Sequence, residues 1–187
     1  MCGISGIYSL SNRPIKDLKP RLKLMTDLLH HRGPDQKGIY MTKRKTFGLS
    51  NNRLSIVSPN EKILLPFTKN GKNYLSFNGE IYNYREIKKK LNKYKNINFI
   101  GDTDTEVLYE YLHKNGANYL KDLNGMWSFA YYDCLSHKLT LSRDLMGERH
   151  LFYTIHNDEL IFSSEVKPIL AVLKFKKISF FNFLIFV

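Results

Sequence analysis

A β-prone run, residues 3–10, opens directly behind Cys2, so the sheet this chain builds must take in its first residues and hold a thiol at a strand end. Four more strand candidates close the sequence, at 126–132, 138–142, 151–156 and 159–163, and shorter ones fall at 38–41, 46–49, 54–57 and 74–77. Helical periodicity lies between them. Leu18, Leu22, Met25 and Leu29 share one face of residues 16–31, and Arg32-Gly33-Pro34-Asp35 then breaks the pattern. A second helix is expected at 83–92. A third is expected from Thr103, where Thr103 and Glu106 have capping-box spacing ahead of Val107, Leu108, Tyr111 and Leu112. Strands at both ends, helices between them and no flexible linker predict one α+β layered domain. A chain of 187 residues is long enough for a substantial core.

Two cysteines, Cys2 and Cys134, make no disulfide framework, which predicts a reduced, cytoplasmic protein. The first residues lack the basic and long apolar segments of a secretory signal, and none is expected. A net charge of +12 raises the question of an acidic partner. The lysines, however, are scattered or sit in helix-like stretches such as 86–95. No zinc spacing, RNA-recognition signature or DNA-reading helix accompanies them, so neither a metal nor a nucleic-acid partner is expected. Residues 171–187 form a basic and then apolar tail, of which 178–187 is almost wholly apolar and too short for a membrane span. It reads as a buried final segment, an exposed patch that wants a partner, or a chain end without its natural continuation; the third reading is favoured.

Cys2 is the candidate nucleophile, readable also as an incidental cysteine at a chain end. Met1 ahead of a small residue is normally trimmed, which leaves Cys2 with a thiol and its own free amine. An α-amino group titrates at about 7.7–8.0 and can take the thiol proton, so one residue supplies nucleophile and general base. Attack on an amide also needs donors where the oxyanion forms. Asn78 offers a side-chain amide and Gly79 a closely approachable backbone N–H, although Asn-Gly also favours a plain turn. For a small zwitterionic substrate, Arg53 matches a carboxylate, and Glu80 and Asp104 match an ammonium group; each is equally readable as a solvated surface charge. Arg32 and Asp35 read as a turn pair bracing Gly33-Pro34.

Taken in order, these pieces form a longer series. Cys2-Gly3-Ile4 is followed by His31-Arg32-Gly33-Pro34-Asp35, Arg53-Leu54-Ser55-Ile56-Val57, Asn78-Gly79-Glu80-Ile81-Tyr82-Asn83 and Thr103-Asp104-Thr105-Glu106-Val107. Asn124-Gly125-Met126-Trp127, Arg143-Asp144-Leu145-Met146-Gly147 and Ser163-Ser164-Glu165-Val166-Lys167 complete it. The series resembles the glutaminase domain of glutamine-dependent asparagine synthetases, within the class II glutamine amidotransferases and the N-terminal-nucleophile hydrolases. It covers residues 2–170. The resemblance implies a four-layer αββα sandwich in which Cys2 attacks the side-chain amide of glutamine and Asn78 and Gly79 form the oxyanion hole. It also implies that Arg53 binds the α-carboxylate, Glu80 and Asp104 bind the α-amino group, and Leu54, Ser55, Ile56 and Val57 line the pocket. There are two departures from the family pattern. Asn51 stands where the family commonly has a histidine, which bears on pocket hydrogen bonding. The resemblance also leads one to expect an ATP- and Mg-using synthetase domain with a Gly-Gly phosphate loop to follow near residue 200, and these 187 residues contain no Gly-Gly dipeptide.

Three functions are therefore weighed. The first is a working glutaminase that passes ammonia to a synthetase domain or chain. The second is a truncated, weak or inactive remnant of an asparagine synthetase. The third is a basic binding module without catalysis. Homo-oligomerisation stays open.

Overall fold

The computed structural model describes residues 1–55, 63–94, 97–173 and 184–185. Strand β1 (Gly3–Ser9) lies inside a six-stranded sheet, antiparallel to β3 (Phe47–Arg53) on one side and β8 (Glu159–Ser163) on the other. With β2 (Gln36–Met41), β7 (Phe152–His156) and β9 (Leu184–Ile185), the order is β2-β3-β1-β8-β7-β9. The second sheet is three-stranded, ordered β4 (Asn73–Ile81), β5 (Gly125–Asp133), β6 (Lys138–Arg143). Helices α1 (Leu18–Leu28) and α4 (Val166–Leu173) pack on the first sheet, and α2 (Tyr84–Leu91) and α3 (Asp104–Asn115) belong to the second.

Period-two alternation builds the layers. Ile4, Phe47, Leu49, Ala130, Tyr132 and Phe162 are buried between the two sheets. Their strand neighbours Ile7 and Ile161 face the other way, onto Leu18, Leu22 and Met25 of α1 and Ile169 of α4. Leu75, Phe77, Trp127 and Phe129 face Ile87, Leu91, Val107, Leu108 and Leu112 of α2 and α3. Side chains of this size contribute about 1.5–3 kcal/mol each on burial. The result is the expected four-layer αββα sandwich of the N-terminal-nucleophile hydrolase type.

Several local expectations are corrected. No strand forms at Leu54 and Ser55; β3 instead extends the run at 46–49 through Ser50, Asn51, Asn52 and Arg53. Polar residues tolerate burial there because each finds a partner: Ser50 Oγ lies 2.6 Å from Ser5 Oγ, Asn51 Nδ2 donates to Gly3 O, and Asn52 Nδ2 donates to Thr26 O of α1. Asn78-Gly79 is not a turn but the interior of β4. Thr103 accepts from Glu106 N as a helix cap, yet Glu106 does not complete a capping box. Its carboxylate goes to Ile100 N and Gly101 N, because the preceding loop folds over it. Helix α4 has no counterpart among the sequence expectations. Apart from Leu184–Ile185, which pairs with β7, the apolar tail at 178–187 lies outside the described residues.

Candidate active site

Cys2 is half-buried at the head of β1. The backbone around it is held from three sides. Arg32 Nε donates to Cys2 O (3.0 Å), Asn51 Nδ2 to Gly3 O (3.1 Å), and Ile4 N to Ser164 Oγ (3.0 Å), while Ser164 N donates to Ile4 O. Arg32 is itself fixed by Glu165 Oε1 at 3.0 Å, which also takes His31 Nε2 at 2.9 Å. Burial pushes the Glu165 carboxyl up, but contact with His31 and Arg32 outweighs this and holds it below the usual carboxylate range. Arg32 and Asp35 are therefore not a mutual turn pair. Arg32 grips the Cys2 carbonyl, and Asp35 Oδ2 accepts from Ser55 N at 2.6 Å.

The strand register brings Arg53 to the same end. Gly3 pairs with Asn52, so Cys2 and Arg53 are the next residues along their strands. Arg53 is half-buried, and its Nη1 donates to Gln36 Oε1 (3.3 Å). On the facing sheet Asn78 is buried, with Nδ2 3.5 Å from Ser128 Oγ. Gly79 lies opposite Trp127 so closely that a Cβ would come within 2.2 Å of Met126 O. Glu80 follows, exposed, and its charge acts on Asp104, the first residue of α3. Asp104 Oδ2 accepts from Ile81 N at 3.1 Å. Burial raises the Asp104 pKa above its ordinary value, and the Glu80 charge adds to this against the N–H donors of Ile81 and Thr105.

Arg149 lies at this end, with the sulfurs of Met1 and Met126 as its side-chain contacts. Its Nη1 lies 3.1 Å from the Met1 sulfur and its Nη2 2.8 Å from the sulfur of Met126, which pairs with Glu80. The turn that carries Arg149 is pinned by Asp144, whose carboxylate accepts from Trp127 N, Glu148 N and Arg149 N. Hence the head of β1, the end of β3, the end of β4 and the first turn of α3 converge. They bring with them the Cys2 thiol, the buried Asn78 amide, the Arg53 guanidinium and the Glu80 and Asp104 carboxylates.

Residues 1–180 match the model of the glutamine amidotransferase domain family. The chain belongs to the class II glutamine amidotransferases. It is 35% identical to a provisionally named asparagine synthetase [glutamine-hydrolyzing] 2 of Methanocaldococcus jannaschii, over 95% of this chain and 36% of that protein. It is 33% identical to asparagine synthetase [glutamine-hydrolyzing] 2 of Bacillus subtilis, over 91% of this chain and 22% of that one. The amidotransferase domain thus spans about a third or less of these relatives. Its fold superposes on the glutamine phosphoribosylpyrophosphate amidotransferase of B. subtilis with a TM-score of 0.72 at 20% identity, covering 91% of this chain and 43% of that one.

Within this amidotransferase domain Cys2, Arg53, Asn78, Gly79, Glu80 and Asp104 lie at one end, and Leu54 and Ser55 continue from Arg53. Ile56 and Val57 fall outside the described residues. The supports around this end include residues to which the sequence gave no role, Ser164, Glu165 and Arg149, together with Arg32, expected only as a turn partner, and Asn51, which grips Gly3 O. Arg32, Ser164 and Glu165 belong to the ordered motif series. Arg149 follows its Arg143-Asp144 element by a few residues and carries no signal of its own.

Proposed function

We propose that this domain hydrolyses glutamine to glutamate and ammonia, with Cys2 as nucleophile and its free α-amine as general base once Met1 is removed. The amine takes the thiol proton, and sulfur attacks the side-chain amide carbon. Asn78 Nδ2 and the Gly79 N–H carry the oxyanion. The proton passes to the departing ammonia, leaving a thioester that water opens to glutamate. Arg53 holds the α-carboxylate, while Glu80 and Asp104 hold the α-ammonium.

The observation that carries this reading is the grip on the Cys2 backbone by Arg32, Asn51 and Ser164. Three separate elements bond the backbone of residues 2–4, and the strand register sets Cys2 at the same strand end as Arg53, which supports a defined role for this terminus. An incidental terminal cysteine has no need of that.

In this proposal the ammonia goes to a synthetase domain or chain of the asparagine-synthetase type, and ATP and Mg belong to that partner. Leu145 and Met146 support a partner at this end. They are 92% and 81% exposed in the turn held by Asp144, next to Arg149.

The test is glutamine hydrolysis by the chain with its processed N-terminus verified by mass. Cys2→Ala is expected to be inactive with an unchanged melting temperature, and retention of Met1 is expected to be inactivating too. Hydrolysis near the wild-type rate in Cys2→Ala refutes the assignment.

A further inference from the structure

Away from the nucleophile, a buried ionic cluster sits under the loop that leads into α3. Lys69 Nζ lies 2.9 Å from Glu106 Oε1 and 2.7 Å from Glu110 Oε1, and the three side chains are only 14%, 4% and 10% exposed. Desolvating one ammonium and two carboxylates is costly, and apolar residues of similar volume often stabilise a core as well or better. Such a cluster is therefore better explained by what it fixes in place than by overall stability.

What it fixes is the backbone of residues 98–102. Lys69 Nζ also donates to Asn98 O. Glu106 Oε1 accepts from Ile100 N at 2.8 Å and Oε2 from Gly101 N at 2.8 Å. From the other side Lys88 of α2 donates to Gly101 O (2.9 Å) and Asp102 Oδ1 (2.8 Å). The Phe99 ring lies under both ammonium groups, 5.7 Å from Lys69 and 5.0 Å from Lys88. Burial pushes the Glu106 carboxyl up, but the Ile100, Lys69 and Gly101 donors outweigh it and hold it below the usual range. Burial likewise lowers Lys69, and its bonds to Glu110 and Glu106 outweigh that and raise it. Immediately after this clamped loop come Thr103, the cap of α3, and Asp104, whose carboxylate rests on Ile81 N beside Glu80.

We propose that Lys69, acting through Glu106 and Glu110, is a positioning residue for recognition of the substrate's α-ammonium group. The clamp sets the path of residues 98–102 and hence the first turn of α3, and that turn carries the Asp104 carboxylate beside Glu80. This rests on the reading that Asp104 contacts the α-ammonium.

The experiment is steady-state hydrolysis of glutamine and of 4-carbamoylbutanoate, which is glutamine without its α-amino group, by the processed chain. Lys69→Met is expected to raise KM for glutamine by about tenfold to a hundredfold with kcat little changed. KM for the deamino substrate should hardly move, so discrimination between the two collapses. Placed in an Asp104→Ala background, Lys69→Met should add nothing further. If Lys69→Met alone does not fold, the charge-balanced Lys69→Met/Glu110→Leu variant carries the same test.

Equal weakening of both substrates by Lys69→Met, or a full effect that persists without Asp104, overturns the proposal while leaving the glutaminase assignment standing. Discrimination that survives Asp104→Ala itself overturns the ammonium reading, and the positioning role falls with it.

Discussion

Gly79→Ala is the substitution whose consequence follows most directly from the geometry. A Cβ on Gly79 lies 2.2 Å from Met126 O and 2.7 Å from Trp127 Cα, where ordinary contact begins at 3.4 Å. Both atoms are backbone of β5, and Asp144 holds Trp127 on its far edge through both its N–H and its carboxylate, so β4 has to give way by roughly an ångström in a close-packed interior. Overpacking of this kind costs about 1–3 kcal/mol. For a chain of this size each kcal/mol lowers Tm by about 2–4 °C. The same ångström displaces the N–H proposed for the oxyanion, and a misplacement of that size costs about a hundredfold in turnover. Asn78→Ala sets the scale, because losing one oxyanion donor costs about 2.7–4 kcal/mol.

Gly116→Ala separates displacement from destabilisation. Gly116 has φ 65° and ψ −164°, and a Cβ there meets nothing within 4 Å. Its strain alone costs about 1–3 kcal/mol, at the C-terminal end of α3, opposite to Asp104. Thermal melts and glutaminase turnover are therefore expected to show similar losses of Tm in both variants and a loss of kcat in Gly79→Ala alone. Wild-type kcat in Gly79→Ala, or an equal loss in Gly116→Ala, refutes the reasoning.

Arg32→Lys keeps a cation for Glu165 but loses the Nε donor to Cys2 O; kcat is expected to fall about tenfold to a hundredfold with Tm little changed, and an unchanged kcat means that grip is dispensable. The raised pKa of Asp104 has a pH signature. In the free protein it protonates above the ordinary Asp value of about 3.9, so KM for glutamine should rise, as pH falls, before an unperturbed carboxylate would titrate. Its contribution to stability runs the other way: a raised carboxyl favours folding below its unfolded pKa and loses that contribution as pH rises through the folded value. Asp104→Asn should therefore flatten the acidic rise in KM without lowering Tm at neutral pH, and an unaltered KM profile excludes Asp104 from the pocket.

Local chemistry determined much of this protein from the sequence. The alternation in residues 3–10, 126–132 and 159–163 and the periodicity of Leu18, Leu22, Met25 and Leu29 specified strands and a helix whose apolar faces then had to be stacked. The ordered motifs pointed to the family, and Cys2 at the head of β1 pointed to its chemistry. Other features needed the tertiary structure. Ser50, Asn51 and Asn52 fall between two strand candidates and join neither until their side chains find Ser5, Gly3 O and Thr26 O, because burial of a polar strand depends on partners distant in sequence. Asn78-Gly79 reads as a turn until β5 pairs across it, since a local preference worth little is overridden by a full ladder of backbone bonds. Arg32 and Asp35 look like a turn pair, yet they bond Cys2 and Ser55, because a charged side chain takes the partner that folding brings near. The Lys69–Glu106–Glu110 cluster is invisible in the sequence for the same reason: attraction between charges depends on their distance and burial in space, and neither is a property of spacing along the chain.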